Sequence, residues 1–237
     1  MNSHTNKIMK RLRELSDRDI AAHSQRFFKT GKGEYGEGDR FLGIRVPVIR
    51  KCVREYREIS LEETIEILRS PFHEARLLAV LMLVEMYASA KTDTARNDVY
   101  NAYLGNAEFI NSWDIVDSSA EHIVGAHLFA GKRDPVYGLI RSKSLWERRI
   151  GIISTFHFIK RNDFKDTLEC AKLLRDDKED LIHKAVGWML REVGKRDQSS
   201  EERFLIKHYR LMPRTMLRYA IEKFPEKERL TYLHGTK

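Results

Sequence analysis

The stretch Lys184-Ala185-Val186-Gly187-Trp188-Met189-Leu190-Arg191-Glu192 places a cation just ahead of two small apolar positions, and the same arrangement returns along the chain. With Lys184 as an anchor, Arg76, Trp113, Arg149, Lys184 and Arg218 share one register, separated by 37, 36, 35 and 34 residues. Each interval is about the length of one helical hairpin. Two residues beyond the anchors lie Leu78, Ile115, Gly151, Val186 and Ala220, and three beyond them lie Ala79, Val116, Ile152, Gly187 and Ile221. All are apolar or glycine, as expected of positions that pack against neighbouring helices. The anchors, four cations and a tryptophan, share a face that core packing is not expected to claim. The second helix of each repeat should therefore line one continuous basic surface, the concave side of an α-solenoid suited to an extended ligand. The plainer alternative is that the four cations are ordinary solvated helix charges.

Beyond this register the chain reads as all-α. Apolar residues recur at helical spacing almost everywhere after Val46, with only five prolines and thirteen glycines to interrupt them. Helices are expected near 7–28, 46–57, 60–69, 72–89, 93–104, 112–130, 134–141, 144–161, 163–175, 178–196, 200–211 and 213–224. The segment from Phe27 to Asp39 is different, holding Gly31, Gly33, Gly36 and Gly38 together with Lys32 and Tyr35. It lacks the G-x-x-x-x-G-K-[ST] order of a phosphate-cradling loop, so it reads either as a connector or as backbone that can approach a nucleic-acid phosphate.

Composition narrows the function classes. The 237 residues carry a formal charge of +8 and a pI near 9.4, a surplus spread through the chain that suggests a polyanionic partner, nucleic acid before membrane. The longest apolar run, Leu77 to Val84, is far short of the roughly 20 residues of a membrane span. The polar N-terminal residues show no secretory pattern, so an intracellular, cytoplasmic location is expected. Cys52 and Cys170 have no C-x-x-C partner and are expected as small core residues. His122 and His127 miss the H-E-x-x-H spacing, and no G-x-S-x-G elbow occurs, so neither metal chemistry nor acyl transfer is supported.

The stretch Asn111-Ser112-Trp113-Asp114-Ile115-Val116-Asp117 carries the chemistry. Ser112 suits an N-cap, which puts Trp113 on the first turn and Asp117 one turn later on the same face. Asp114 is expected to point elsewhere and to suit the helix N-terminus by charge. Trp188 lies four residues after its own anchor, as Asp117 does, and Arg149 anchors the repeat between them. Trp113, Asp117, Arg149 and Trp188 are therefore expected on one basic wall.

At these residues the sequence resembles the DNA alkylation repair glycosylases of the AlkD family. The likeness runs through Phe28-Lys29-Thr30-Gly31-Lys32-Gly33-Glu34-Tyr35-Gly36, Phe41-Leu42-Gly43-Ile44-Arg45-Val46-Pro47, the Trp113 segment, Leu145-Trp146-Glu147-Arg148-Arg149 and the Lys184 segment. It implies a right-handed α-solenoid of HEAT-like repeats as one domain over 1–237, clearest over 60–225. It further implies a catalytic carboxylate at Asp117, site tryptophans at Trp113 and Trp188, and a functional arginine at Arg148 or Arg149, which the repeat register assigns to Arg149. Arg148, Arg76, Lys184, Arg191, Arg218, Tyr35 and Lys32 are the expected DNA contacts. The implied activity is excision of N3- and N7-alkylated purines from double-stranded DNA by a monomer, with no cofactor and no metal. The competing reading is a non-catalytic HEAT-like scaffold for nucleic acid or protein. Asp117 separates the two, because a carboxylate facing a polyanion weakens simple binding.

Overall fold

The computed structural model describes residues 3–237; among them every regular element is helical, apart from one isolated bridge between Arg40 and Phe72. The all-α class expected from the sequence is the class observed. The chain divides into two compact units, Met1–Ser119 and Ala120–Lys237.

The first unit contains α1 (Ser3–Glu14), α2 (Arg18–Phe27), α3 (Val46–Glu55), α4 (Leu61–Leu68), α5 (His73–Ser89), α6 (Asp93–Leu104) and α7 (Trp113–Asp117). The helix expected over 7–28 is two helices. Asp17 breaks it by turning its carboxylate onto the amides of Asp19 and Ile20 at 2.9 and 3.0 Å, an N-cap that starts α2. A capping box of Ser60 and Glu63 starts α4, and the Thr92 hydroxyl caps α6. α5 is apolar on nearly all sides and packs against α3, α4, α6 and α7, as a central helix must.

The second unit opens with a π-helical turn over Glu121–Gly125. It continues through α8 (Ala126–Phe129), α9 (Asp134–Ile140), α10 (Leu145–Ser154), α11 (Phe156–Ile159), α12 (Lys165–Leu173), α13 (Asp180–Gly194), α14 (Gln198–His208), α15 (Arg214–Ala220) and α16 (Glu226–His234). α13 is its hub, packing against α10, α12, α14 and α15. The single helix expected over 112–130 is interrupted after Asp117. Ser118 and Ser119 turn their hydroxyls back onto the carbonyls of Asp114 and Ile115 at 2.7 Å each, competing with the helical ladder before the π turn begins. α16 was not expected.

The register of the repeats is visible in burial. All ten positions two and three residues beyond the anchors are buried. Gly187 shows why one of them has no side chain: a Cβ there would stand 2.5 Å from the Met216 carbonyl oxygen, so only glycine lets α13 and α15 approach this closely. Cys52 and Cys170 are buried and unpaired with each other, and burial pushes both thiols up, Cys170 to about 12.

Candidate active site

α7 is a single turn whose first residue is Trp113 and whose last is Asp117. Both line one cavity of about 260 Å³ with Val46, Arg50, Leu77, Leu81, Asp114 and Ser118. The expected pairing of indole and carboxylate on one face is thus present within the first unit. Leu77 and Leu81 of α5 and Val46 of α3 make part of its lining apolar, and Arg50 of α3 adds a cation. Ser112 takes the N-cap position in extended conformation, but its side chain makes no capping hydrogen bond.

What holds α7 in place comes from sequence far away. The Phe28 ring stacks on Trp113 with centroids 5.3 Å apart and planes 16° apart, and Phe27 meets the indole edge-on at 6.0 Å. On the far side of Phe28 lie Phe41 and His73, with centroids at 5.1 and 4.8 Å. His73 Nε2 lies 2.9 Å from Asp114 Oδ2, and its Nδ1 lies 2.9 Å from Asp39 Oδ2. Arg76 donates to the other oxygen of Asp39 at 2.8 Å. Burial opposes charge on the His73 ring, but hydrogen bonds and the charges of Asp114 and Asp39 outweigh it and push the ring up to about 9. For Asp39, burial acts to raise the carboxyl, and the hydrogen bond from His73 with the charges of Arg76 and His73 brings it below the usual range.

The chain that leaves the glycine-rich loop is clamped as well. Glu74 takes the amides of Leu42, Gly43 and Ile44 at 2.8, 2.7 and 3.2 Å, and the His73 amide donates to the Arg40 carbonyl at 2.8 Å. Gly43 sits at φ 81°, where a Cβ would also fall 2.0 Å from the Asp17 carbonyl oxygen. Lys32 is exposed on this loop and Tyr35 is half-buried.

Two expectations about this unit are corrected. Asp114 does not merely answer the helix N-terminus: it lines the same cavity as Asp117 and receives His73. Arg76 does not lie on an open basic face; it is 4% exposed and committed to Asp39 and the Ser70 carbonyl. The anchor register put it beside α5's partners, and with this turn of α5 covered a cation there needs a buried carboxylate.

In the second unit Arg149 is likewise buried, its Nη1 donating to the Leu181 carbonyl at 2.5 Å, so the anchor face is claimed by packing here too. Arg148, an expected DNA contact, is instead held in a buried pair: its Nε and Nη2 donate to both oxygens of Asp177, at 2.6 and 3.3 Å. Trp188 is half-buried, its Nε1 donating to Glu192 at 3.2 Å and its ring edge-on to Phe156. Arg191 pairs with Glu222. Lys184, 2.7 Å from Asp180, and exposed Arg218 line a cleft of about 570 Å³ with Thr215, Tyr219, Glu222 and Arg229.

The residues missed by the sequence reading are Asp39, His73, Phe27, Phe28 and Arg50. Two of them carried a signal: Phe28 follows Phe27 at the mouth of the glycine stretch, and Asp39 ends it. His73 had none, since its partners lie 34 and 41 residues away. Among the described residues, no group of three or more His, Cys, Asp or Glu side chains is arranged to hold a metal ion, and no helix is long and apolar enough to cross a membrane.

The first unit thus seats a carboxylate and an indole in one cavity, and the second lines a cleft with Lys184, Arg218 and Arg229 beside Asp180 and Glu222. The family model for DNA alkylation repair enzymes matches residues 8–224, and the chain belongs to that family. Its fold is shared by a solved structure from Enterococcus faecalis described as a predicted DNA alkylation repair enzyme, with a TM-score of 0.69 at 15% identity, covering 89% of this chain and 97% of that one. Among curated proteins none matches the chain. The role of the protein is thus in the repair of alkylation damage, with DNA as its substrate.

Proposed function

We propose that the protein is a monofunctional DNA glycosylase of base excision repair, hydrolysing the N-glycosidic bond of N3- and N7-alkylated purines in duplex DNA without metal or cofactor. The observation that carries this reading is the position of Asp117, a carboxylate set beside Trp113 in an open cavity of a DNA-repair protein. A groove that only binds a polyanion has no use for that charge.

Alkylation at N3 or N7 leaves the purine cationic and its glycosidic bond weakened. As the C1′–N bond breaks, its electron pair neutralises the purine, so no acid is needed on the leaving group. Positive charge grows on the deoxyribose, where Asp117 stabilises it and orients a water. The water oxygen bonds C1′ and its proton passes to Asp117 or to solvent. The Trp113 π face receives the cationic nucleotide. At about 260 Å³ the cavity lies below the roughly 300–1,000 Å³ common for enclosed ligand pockets, which favours reaction at the duplex surface over a deep extruded-base pocket.

Lys184, Arg218, Lys32, Tyr35, Arg191 and Arg148 are the proposed DNA contacts; Arg191 exchanges its half-exposed Glu222 for phosphate, whereas Arg148 keeps its buried Asp177. Trp188 supplies a second π face, and Arg149 reaches phosphate by giving up its bond to the Leu181 carbonyl; the protein acts as a monomer in the cytoplasm. The test is incubation with methylated duplex DNA, reading free base and abasic sites together. Release of N7-methylguanine with matching abasic sites is expected; binding without release contradicts the proposal and favours the scaffold reading.

A further inference from the structure

We propose that His73 is a positioning residue, an imidazolium clamped between Asp39 and Asp114 that offsets the charge of Asp114 and thereby keeps Asp117 ionised in the shared cavity. The inference deepens the glycosylase reading and rests on it for its purpose. It begins with donors and acceptors. Both ring nitrogens of His73 face carboxylate oxygens at 2.9 Å, and a neutral imidazole has one N–H, whereas the imidazolium has two. The Arg76 guanidinium on the other oxygen of Asp39 favours its carboxylate form, so Asp39 is a poor source of a proton for the ring. The rings of Phe28 and Phe41 lie 4.8 and 4.5 Å from the imidazole, an aromatic surrounding that suits a cation.

The charged groups about this ring are Asp39 on the loop, Arg76 on its own helix, Asp114 on α7 and, around the cavity that Asp114 lines, Asp117 and Arg50 of α3. Glu74 beside it is committed to the loop amides. Arg76, Asp39, His73 and Asp114 sum to zero. Within that sum Asp114 depends on the ring, because its Oδ1 is buried with no hydrogen-bond partner and only its Oδ2 is met, by Nε2. Asp114 and Asp117 are three apart on one helical turn and line one cavity, so an uncompensated Asp114 would make Asp117 easier to protonate. A protonated Asp117 can neither stabilise a cationic sugar nor take a proton from water. The same clamp fixes the first turn of α7 and, through Phe28, the plane of Trp113.

The test measures the groups directly. Ring nitrogen NMR of the wild-type protein should show His73 doubly protonated up to pH 8 or beyond, against an ordinary midpoint of about 6.5. In His73→Gln, the carboxyl carbon midpoint of Asp117 and the acid limb of the single-turnover rate profile should move up together by roughly half a unit or more. Adding Asp114→Asn removes the charge that needed offsetting and should return both, a rescue that a merely structural role for His73 would not give. If His73→Gln does not fold, Asp114→Asn alone decides, since the His73 midpoint must then fall. A wild-type ring titrating near 6.5, an unmoved Asp117 midpoint, or no rescue in the double variant overturns the inference. If the carboxyl midpoints behave as stated while the wild type releases no base, the His73 clamp stands and the glycosylase reading falls.

Discussion

The Arg76–Asp39–His73 cluster of the first unit and the Lys184–Arg218 cleft of the second use their cations in opposite ways. In the first, Arg76 and His73 are sealed against Asp39 and Asp114 in a buried, internally neutral set, and their contribution is the placement of α7. In the second, Lys184, Arg191 and Arg218 keep part of their surface in water, with Asp180 and Glu222 as partners that are themselves half-exposed. Pairs of the first kind are strongly destabilised when one member is removed, whereas pairs of the second kind contribute little and can be exchanged for a phosphate. Cations equivalent by repeat register are thus inequivalent by environment, and the environment decides which of them can meet DNA.

The sharpest way to break this comparison is at the carboxylates. Asp117→Asn should lower base release by roughly a hundredfold or more while duplex affinity holds or tightens, because size is kept and a repulsive charge is removed. Asp114→Asn should act mainly through His73 and cost far less. Single-turnover rates and binding isotherms of the two variants check this, and the reverse order would put the reacting charge on the other residue.

Next comes the arginine pair. Arg148→Ala strands the buried Asp177 carboxylate and should destabilise the second unit by about 3 kcal/mol, read by denaturant unfolding. Arg149→Ala should lower base release at least tenfold, about 1.4 kcal/mol of transition-state stabilisation, beyond any loss of stability. A rate defect in Arg148→Ala alone would transfer the phosphate-holding role to that residue.

Smaller effects separate exposed from buried cations. Lys184→Ala and Arg218→Ala should each reduce the slope of log affinity against log salt by about one unit. Arg76→Ala should leave that slope unchanged and show itself in thermal unfolding.

The mildest expectation concerns pH. Glu201 of α14 is buried, and burial pushes its carboxyl up to about 8, with nearby Glu202 adding to the rise. A folded-state midpoint above the unfolded one means the folded protein holds more protons between about 4.5 and 8, so stability falls as pH rises through that window. His73, raised from 6.5 to about 9, acts in the same direction, its contribution full below 6.5 and lost as pH rises through 9. Glu201→Gln should flatten the decline between pH 5 and 8 by a few degrees of melting temperature, about what 1 kcal/mol shifts in a chain this size.

Most of the frame was legible because it is periodic: burial of the positions after each anchor repeats what 3.6-residue spacing and glycine placement announce. The carboxylate and indole of α7 were legible because they are one turn apart. The clamp was not, since Asp39, His73 and Asp114 meet only through tertiary packing and no local pattern joins them. The anchor row failed at Arg76 and Arg149 for a related reason, because a register shows which residues are equivalent and not how deeply each helix is covered. The break after Asp117 had a readable signal in Ser118 and Ser119, and α16 had one in Pro225 followed by Glu226 and Glu228.

In the proposed reaction the charge of the lesion drives bond cleavage while the protein supplies one carboxylate and no acid, both ring nitrogens of the buried His73 facing carboxylates, Asp39 and Asp114. The direct measurement is single-turnover base release from matched duplexes carrying N3-methyladenine, N7-methylguanine, hypoxanthine or uracil. Release of the two cationic bases and of neither neutral one is expected. Efficient release of uracil from duplex DNA would contradict it.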